Sequence, residues 1–182
     1  MAAGELYTLG HSTRSIPDLT ALLAAHGITR LVDVRAAPYS RRHPQFNREP
    51  LAAALAEAGV SYHWLGDRLG GLREEKPGPS AHPALAEPAF RAYAAHMAGR
   101  AFAAGIEELA KLAADSRIAV MCAEAAPEHC HRRFIADYLT VNGWRVLHVT
   151  GTQTPVEHTT HEALRVADGK LFYDRHSQPS LF

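Results

Sequence analysis

Five short apolar runs, each followed by a polar break and most by a stretch of helical period, constrain this chain more than any other feature. The runs cover residues 6–9, 31–34, 61–65, 118–121 and 146–149. Between the first two, Ser15 has the chemistry of an N-cap, with Pro17 and Asp18 in the first turn. The stripe Ile16, Leu19, Leu22, Leu23 follows, and Gly27 stands at the C′ position. A second helix over 48–58 stops at Gly59. Two more share 89–114 and meet near Gly99, and another follows the fourth run to Asn142-Gly143. A last helix over 156–166 and a short strand over 171–173 complete the reading. Residues 66–88, rich in glycine and proline without a sustained period, are read as a long loop of the kind that often carries function.

Strand–helix alternation of this type predicts an α/β fold. The expected architecture is a mainly parallel sheet of about five strands with helices on both faces, Rossmann-like and three-layered. A length of 182 residues fits one domain, here 1–182, with a core over about 5–150 and a C-terminal helix and short strand in 151–182. Equal numbers of basic and acidic residues, 19 each, argue against a general nucleic-acid coat. No apolar run reaches bilayer length, the first residues lack the pattern of an export signal, and there are only two cysteines. A cytoplasmic protein with no membrane partner and no structural disulfide is therefore expected.

In open parallel sheets, ligands sit beyond the carboxyl ends of the strands, near a switch in strand order. The residues at those ends are unusually reactive in type. The first run is followed by His11, Ser12 and Arg14, and the second ends in Asp33 and Arg35. The third leads to Gly66, Asp67 and Arg68, the fourth ends in Cys122 and Glu124, and the fifth carries His148 and Thr150. In the segment after the fourth run, Pro127 suits the first position of a helix and Glu128 its dipole. Cys130 would then fall in the first turn, where peptide dipoles stabilise a thiolate. A helical projection turns Cys130, His131 and Arg132 toward the cleft. It turns Arg133 to solvent, one turn from Asp137. His26, His96 and His158 read as surface residues.

Several of these residues form an ordered set. Gly10-His-Ser-Thr-Arg14, Asp33-Val-Arg35, Pro38 with Ser40-Arg-Arg42, Gln45-Phe-Asn47, Leu69-Gly-Gly71, Cys122-Ala-Glu124 and Cys130-His-Arg132 occur in that order. Over residues 5–150 the chain resembles domain-of-unknown-function family 488. The resemblance implies an α/β fold and a shared site at His11, Ser12, Arg14, Asp33, Arg35, Gly70, Gly71, Cys122, Glu124, Cys130, His131 and Arg132. It implies no particular activity.

The leading functional expectation is a cysteine-dependent enzyme acting on a small anionic ligand, phosphate-bearing or nucleotide-derived. Cys130 would be the nucleophile and His131 its base or orienting partner, with Cys122 and Glu124 also in the catalytic group. His11, Ser12, Arg14, Asp33, Arg35, Gly70, Gly71 and Arg132 would bind the ligand, with Arg35 and Arg132 as the anion clamp. An alternative is a metal site from Cys122, Cys130 and His131 with His11. Against it, the spacing of the cysteines matches no standard zinc pattern, and neighbouring arginines repel a cation. Another is a non-catalytic nucleotide or nucleic-acid module using the arginines with Tyr39, Phe46 and Trp64, which the neutral charge disfavours. A redox pair of Cys122 and Cys130 requires their Cα atoms within about 7 Å. The residues leave the cofactor, the substrate and the oligomeric state open.

Overall fold

The computed structural model describes residues 4–175. In chain order its elements are β1 (Glu5–Gly10), α1 (Ile16–Ala25), β2 (Arg30–Asp33), α2 (Arg48–Glu57), β3 (Ser61–Trp64), α3 (Gly66–Leu69), α4 (Pro88–His96), α5 (Arg100–Ala113), β4 (Ile118–Cys122), α6 (Arg132–Val141), β5 (Arg145–His148), β6 (Val156–Glu157), β7 (Leu164–Ala167) and β8 (Lys170–Tyr173). The main sheet has six strands in the order β3-β2-β4-β1-β5-β6. Its first five members are parallel, and β6 joins the edge antiparallel. The expected α/β, three-layer, mainly parallel sheet is thus the architecture found, with one more strand than the apolar runs suggest.

Each face of the sheet has its own core. Leu19, Leu22 and Leu23 of α1 and Leu51 and Leu55 of α2 pack with Leu9, Leu31 and Met121 on one side. On the other, Tyr93, Phe102, Ile106, Phe134 and Leu139 of α4, α5 and α6 pack with Leu6, Val32 and Val120. Residues alternating along a strand thereby serve opposite cores, as the two-residue period requires. Strands β1 and β4 are neighbours, yet the chain leaves β1 for α1 on one face and β4 for α6 on the other. That divergence opens a crevice at their carboxyl ends, the switch point where α/β sheets bind ligands.

The C-terminal part departs from expectation. No helix forms over 156–166. Val156–Glu157 pairs with β5, and β7 and β8 form a hairpin. The two residues between Ala167 and Lys170 are Asp168 and Gly169, both with positive φ (50° and 71°), the requirement of a tight hairpin turn. The apolar residues Leu164, Leu171 and Tyr173 face the α6 core, whereas Val156 and Val166 are exposed. Leu171 and Tyr173 stand two residues apart on β8, the spacing of a strand and not of a helical stripe. The expected strand over 171–173 is present as β8, and α3 occupies the start of the expected 66–88 loop.

A buried polar chain fixes this C-terminal part to the sheet. Asp137 Oδ1 accepts from His158 Nε2 at 2.8 Å, and His158 Nδ1 accepts from His148 Nε2 at 2.8 Å. His148 Nδ1 then accepts the Thr8 hydroxyl at 2.7 Å. Tyr173 completes the cluster with a bond from its hydroxyl to Asp137 Oδ2 at 2.9 Å. The expected Arg133–Asp137 pair therefore does not form, and His158 is interior rather than surface. Chain-distant partners outcompete the one-turn pair because Asp137, at 0% exposure, needs every lone pair occupied.

This chain has a pH signature. Burial, with His158 and Arg132 nearby, lowers the pKa of His148 to about 4; burial also lowers that of His11 to about 4. Unfolded histidines take up protons below about 6.5 while these two refuse them until about 4, so acid favours the unfolded chain. Their stabilisation is complete above pH about 6.5. It falls away as pH drops toward 4, by at most about 3 kcal/mol apiece. Calorimetry should show a melting temperature that declines across that window, with a shallower decline in His148→Asn. A melting temperature flat from pH 7 to 4 contradicts the assignment.

Candidate functional site

The crevice between β1, β2 and β4 is a cleft of about 770 Å³, within the range of roughly 300–1,000 Å³ typical of ligand pockets. His11, Ser12, Arg35, Gly71, Cys122, Glu124, Cys130 and His131 line it. The other sequence-expected residues stand behind it. Asp33 is wholly buried beneath Arg35. Arg14 donates to the carbonyls of Gly10 and Thr150. Gly70 packs on Gly66 and Ala36. Arg132, 1% exposed, donates to the carbonyls of Glu124 and Ala125 and so pins the loop after β4. Tyr39, Ser40, Arg42, His43, Phe90 and His129 complete much of the wall. Of these, Ser40 and Arg42 belong to a motif already visible in the sequence, His129 directly precedes Cys130, and Phe90 reaches the cleft only through tertiary packing.

The floor is built by two strand ends meeting one helix start. His11 N donates to Cys122 O and Ser12 N to Ala123 O, which extends the β1–β4 ladder past the sheet. The chain turns at Ser12, whose φ is 50°. Gly10 makes this approach feasible, because a Cβ there would lie 1.7 Å from Glu124 O. After β4, Pro127 starts only a single 3-10 turn ending at His129. Cys130 is extended (φ −135°, ψ 143°), and α6 begins at Arg132 with His131 as its N-cap. The expectation that Cys130 lies inside the helix is therefore corrected. A continuous helix would rotate adjacent side chains about 100° apart, whereas the break at Cys130 lets its sulfur and the His131 ring face the same point.

That point is compact. His131 Nδ1 lies 3.8 Å from Cys122 Sγ and 3.8 Å from Cys130 Sγ, and the three atoms all fall within 4.8 Å of one another. His131 Nε2 donates to Val34 O at 3.1 Å. A carbonyl only accepts, so the ring proton sits on Nε2 and the Nδ1 lone pair faces both sulfurs. The Tyr93 ring lies against His131 with centroids 5.1 Å apart, and its hydroxyl donates to Leu69 O at 2.8 Å. Gly71 covers the other side: a Cβ there would stand 2.4 Å from His131 Nδ1. Both cysteines are free and buried, at 8% and 3% exposure.

The two sulfurs are not equivalent. The Cys122 thiol beside it, and then the Arg132 guanidinium and backbone N–H, bring the Cys130 pKa down to about 7 against the opposing effect of burial. Cys122 is pushed well up, first by its neighbour Cys130 and then by burial. The two shifts favour the thiolate on Cys130, beside the start of α6, over the thiolate on Cys122.

Beside the sulfurs, Asp33 accepts from Arg35 Nε at 2.9 Å, from Arg35 Nη2 at 2.6 Å and from the Tyr62 hydroxyl at 2.7 Å. Arg35 Nη2 also reaches Phe46 O, and Arg35 Nη1 donates to His11 Nε2 at 3.3 Å. His11 Nδ1 donates to Ser12 O, and its ring stacks on Phe46 with centroids 4.1 Å apart. Most of the guanidinium is thus committed within the protein, which leaves Nη1 with one further N–H on the cleft side.

Chemically, the cluster offers a thiolate with an adjacent thiol and an imidazole lone pair, and the same three donor atoms could hold a soft cation. Among the described residues no helix is long and apolar enough to cross a membrane. No curated protein and no solved structure matches the chain. A family model matches residues 15–139, a span that includes Asp33, Arg35, Gly70, Gly71, both cysteines and His131 and covers more than half of the chain. The chain belongs to the domain-of-unknown-function family DUF488.

Proposed function

We propose that this protein is a cysteine-dependent enzyme for a small anionic ligand, phosphate-bearing or nucleotide-derived. The carrying observation is the placement of the Cys130 sulfur on the cleft floor, beside the start of α6 and within 3.8 Å of the His131 Nδ1 lone pair. A nucleophile needs a lone pair facing the substrate and a group to take or hold its proton. Cys130 supplies the first, and His131 with Cys122 supplies the second. Glu124, exposed on the same wall, is the carboxylate for proton transfer to or from the ligand.

The charge of the lining supports an anion. Arg35 and Arg42 face a single acidic residue, Glu124, with His43 and His129 near them. Ser12 and the remaining Arg35 N–H are the donors that would orient the ligand, and Gly71 lets it approach the sulfurs. Arg132 acts at one remove, by holding the Glu124–Ala125 carbonyls and the Cys130 thiolate.

A thermal-shift screen of nucleotides, sugar phosphates and inorganic phosphate tests the ligand class. Stabilisation by phosphate-bearing compounds, reduced in Arg42→Ala, is the expected result. Cys130→Ser should abolish any turnover found, by at least about a hundredfold, while leaving the melting temperature within a few degrees. Retained turnover in Cys130→Ser sinks the reading.

A further inference from the structure

We infer that Cys122, Cys130 and His131 form a three-ligand site for a thiophilic divalent cation of the zinc class, with its fourth position open to the cleft. The donor set is the first reason. Two cysteine sulfurs and one imidazole nitrogen are standard zinc ligands, and three protein ligands leave the fourth position of a tetrahedral ion open. Geometry is the second. Metal–ligand distances of about 2.3 Å to sulfur and about 2.0 Å to nitrogen, at tetrahedral angles, separate ligand atoms by roughly 3.5–3.8 Å. Here both sulfur–nitrogen separations are 3.8 Å and no pair exceeds 4.8 Å. Less than about an ångström of side-chain movement closes the site, a fraction of what a rotamer change supplies.

The surroundings of His131 are the third and independent reason. A metal-binding histidine donates its other ring N–H to a carbonyl or carboxylate, which fixes the tautomer and aims the lone pair. The 3.1 Å bond from His131 Nε2 to Val34 O does this. Gly71 has no side chain where a Cβ would press on Nδ1 at 2.4 Å, so the space beside the lone pair stays clear. The arginines that weigh against a cation in the sequence are committed elsewhere. Arg35 is paired with Asp33, and Arg132 turns its Nη groups to two carbonyls, so its remaining charge acts on the cluster through the Cys130 sulfur rather than from the open position. Loading one cation forms two metal–sulfur bonds and releases to solvent whatever thiol protons the two sulfurs still carry. Cys130 then has its lone pair in a metal bond. On the nucleophile reading, the loaded protein is accordingly the silent form and metal removal restores reactivity.

Cobalt(II) alone, added to reduced, chelator-treated full-length protein, tests the site. The expected result is thiolate-to-cobalt charge-transfer absorption saturating at one equivalent per chain and abolished by excess zinc. Cys122→Ala should lose the thiolate bands. Gly71→Ala, which crowds His131 without removing a ligand, should weaken cobalt affinity at least tenfold. Absence of charge-transfer bands in the wild-type protein at excess cobalt overturns the inference without any variant. Bands that persist unchanged in folded Cys122→Ala overturn it as well. Alkylation of Cys130 in metal-free protein is scored separately. Reactivity without cobalt bands removes the metal and leaves the nucleophile, and bands without reactivity do the reverse.

Discussion

Asp33→Ala is expected to destabilise the protein by about 3–5 kcal/mol, because it strands a buried guanidinium. Asp33 has 0% exposure and accepts from the Arg35 backbone N–H, from Arg35 Nε and Nη2, and from Tyr62. Without it, Arg35 keeps only Phe46 O, a neutral His11 and the cleft as partners for a full charge. The desolvation cost of that charge is what the variant measures, more than the net worth of the pair. Arg35→Met in the same background should recover part of the loss, since it removes the stranded charge. Urea unfolding of both single variants and the double variant forms the cycle that checks this. A midpoint fall of about 2 M for Asp33→Ala, smaller in the double variant, is the expected pattern. A single-variant loss below about 1 kcal/mol contradicts the role given to Asp33.

The second large effect lies on the opposite side of the sheet. Asp137→Ala leaves His158 Nε2, the His161 N–H and the Tyr173 hydroxyl without their acceptor. Each buried donor so exposed costs about 1–3 kcal/mol, and partial entry of water keeps the total near about 3 kcal/mol. The damage should be local before it is global. Limited proteolysis of Asp137→Ala is expected to cut first within 156–173, where the hairpin has lost its anchor, while the fragment N-terminal to the cut persists longer. Asp137→Asn keeps one carbonyl acceptor and should lose less than the alanine variant. Cleavage that begins around α6 instead contradicts the anchoring role.

These two residues also show where sequence reading succeeds and where it stops. Strand β4 is legible because it is buried on both faces and so reads as an unbroken apolar run, and β1 and β2 are legible from the short apolar runs that Thr8 and Asp33 interrupt. Helix α1 was legible from local chemistry alone, since Ser15 does cap Asp18 N at 3.1 Å. The same locality misled around Asp137. A one-turn arginine was the nearest candidate partner, whereas the actual ones lie 21, 24 and 36 residues further on. The hairpin β7–β8 carries a readable signal in Asp168-Gly169, which the expected helix over 156–166 passes over. The break at Cys130 had no local signal, because Pro127 and Glu128 start a 3-10 turn as readily as an α-helix. In the cleft, residue types at strand ends indicated the place. That Arg132 holds carbonyls behind the wall depends on packing that no spacing reveals, whereas the two-residue spacing of Asp33 and Arg35 already puts them on one side of β2.

Paired alkylation of the native protein tests the proposed reactivity of Cys130 and the proposed anion preference of the cleft at once. Iodoacetate and iodoacetamide deliver the same chemistry with and without a negative charge, and peptide mass mapping reports each cysteine separately. In metal-free protein, Cys130 should be modified well before Cys122. It should react faster with iodoacetate than with iodoacetamide, a preference reduced in Arg42→Ala and suppressed by phosphate. Modification of Cys122 first, or a preference for the neutral reagent at Cys130 that phosphate does not alter, contradicts the account.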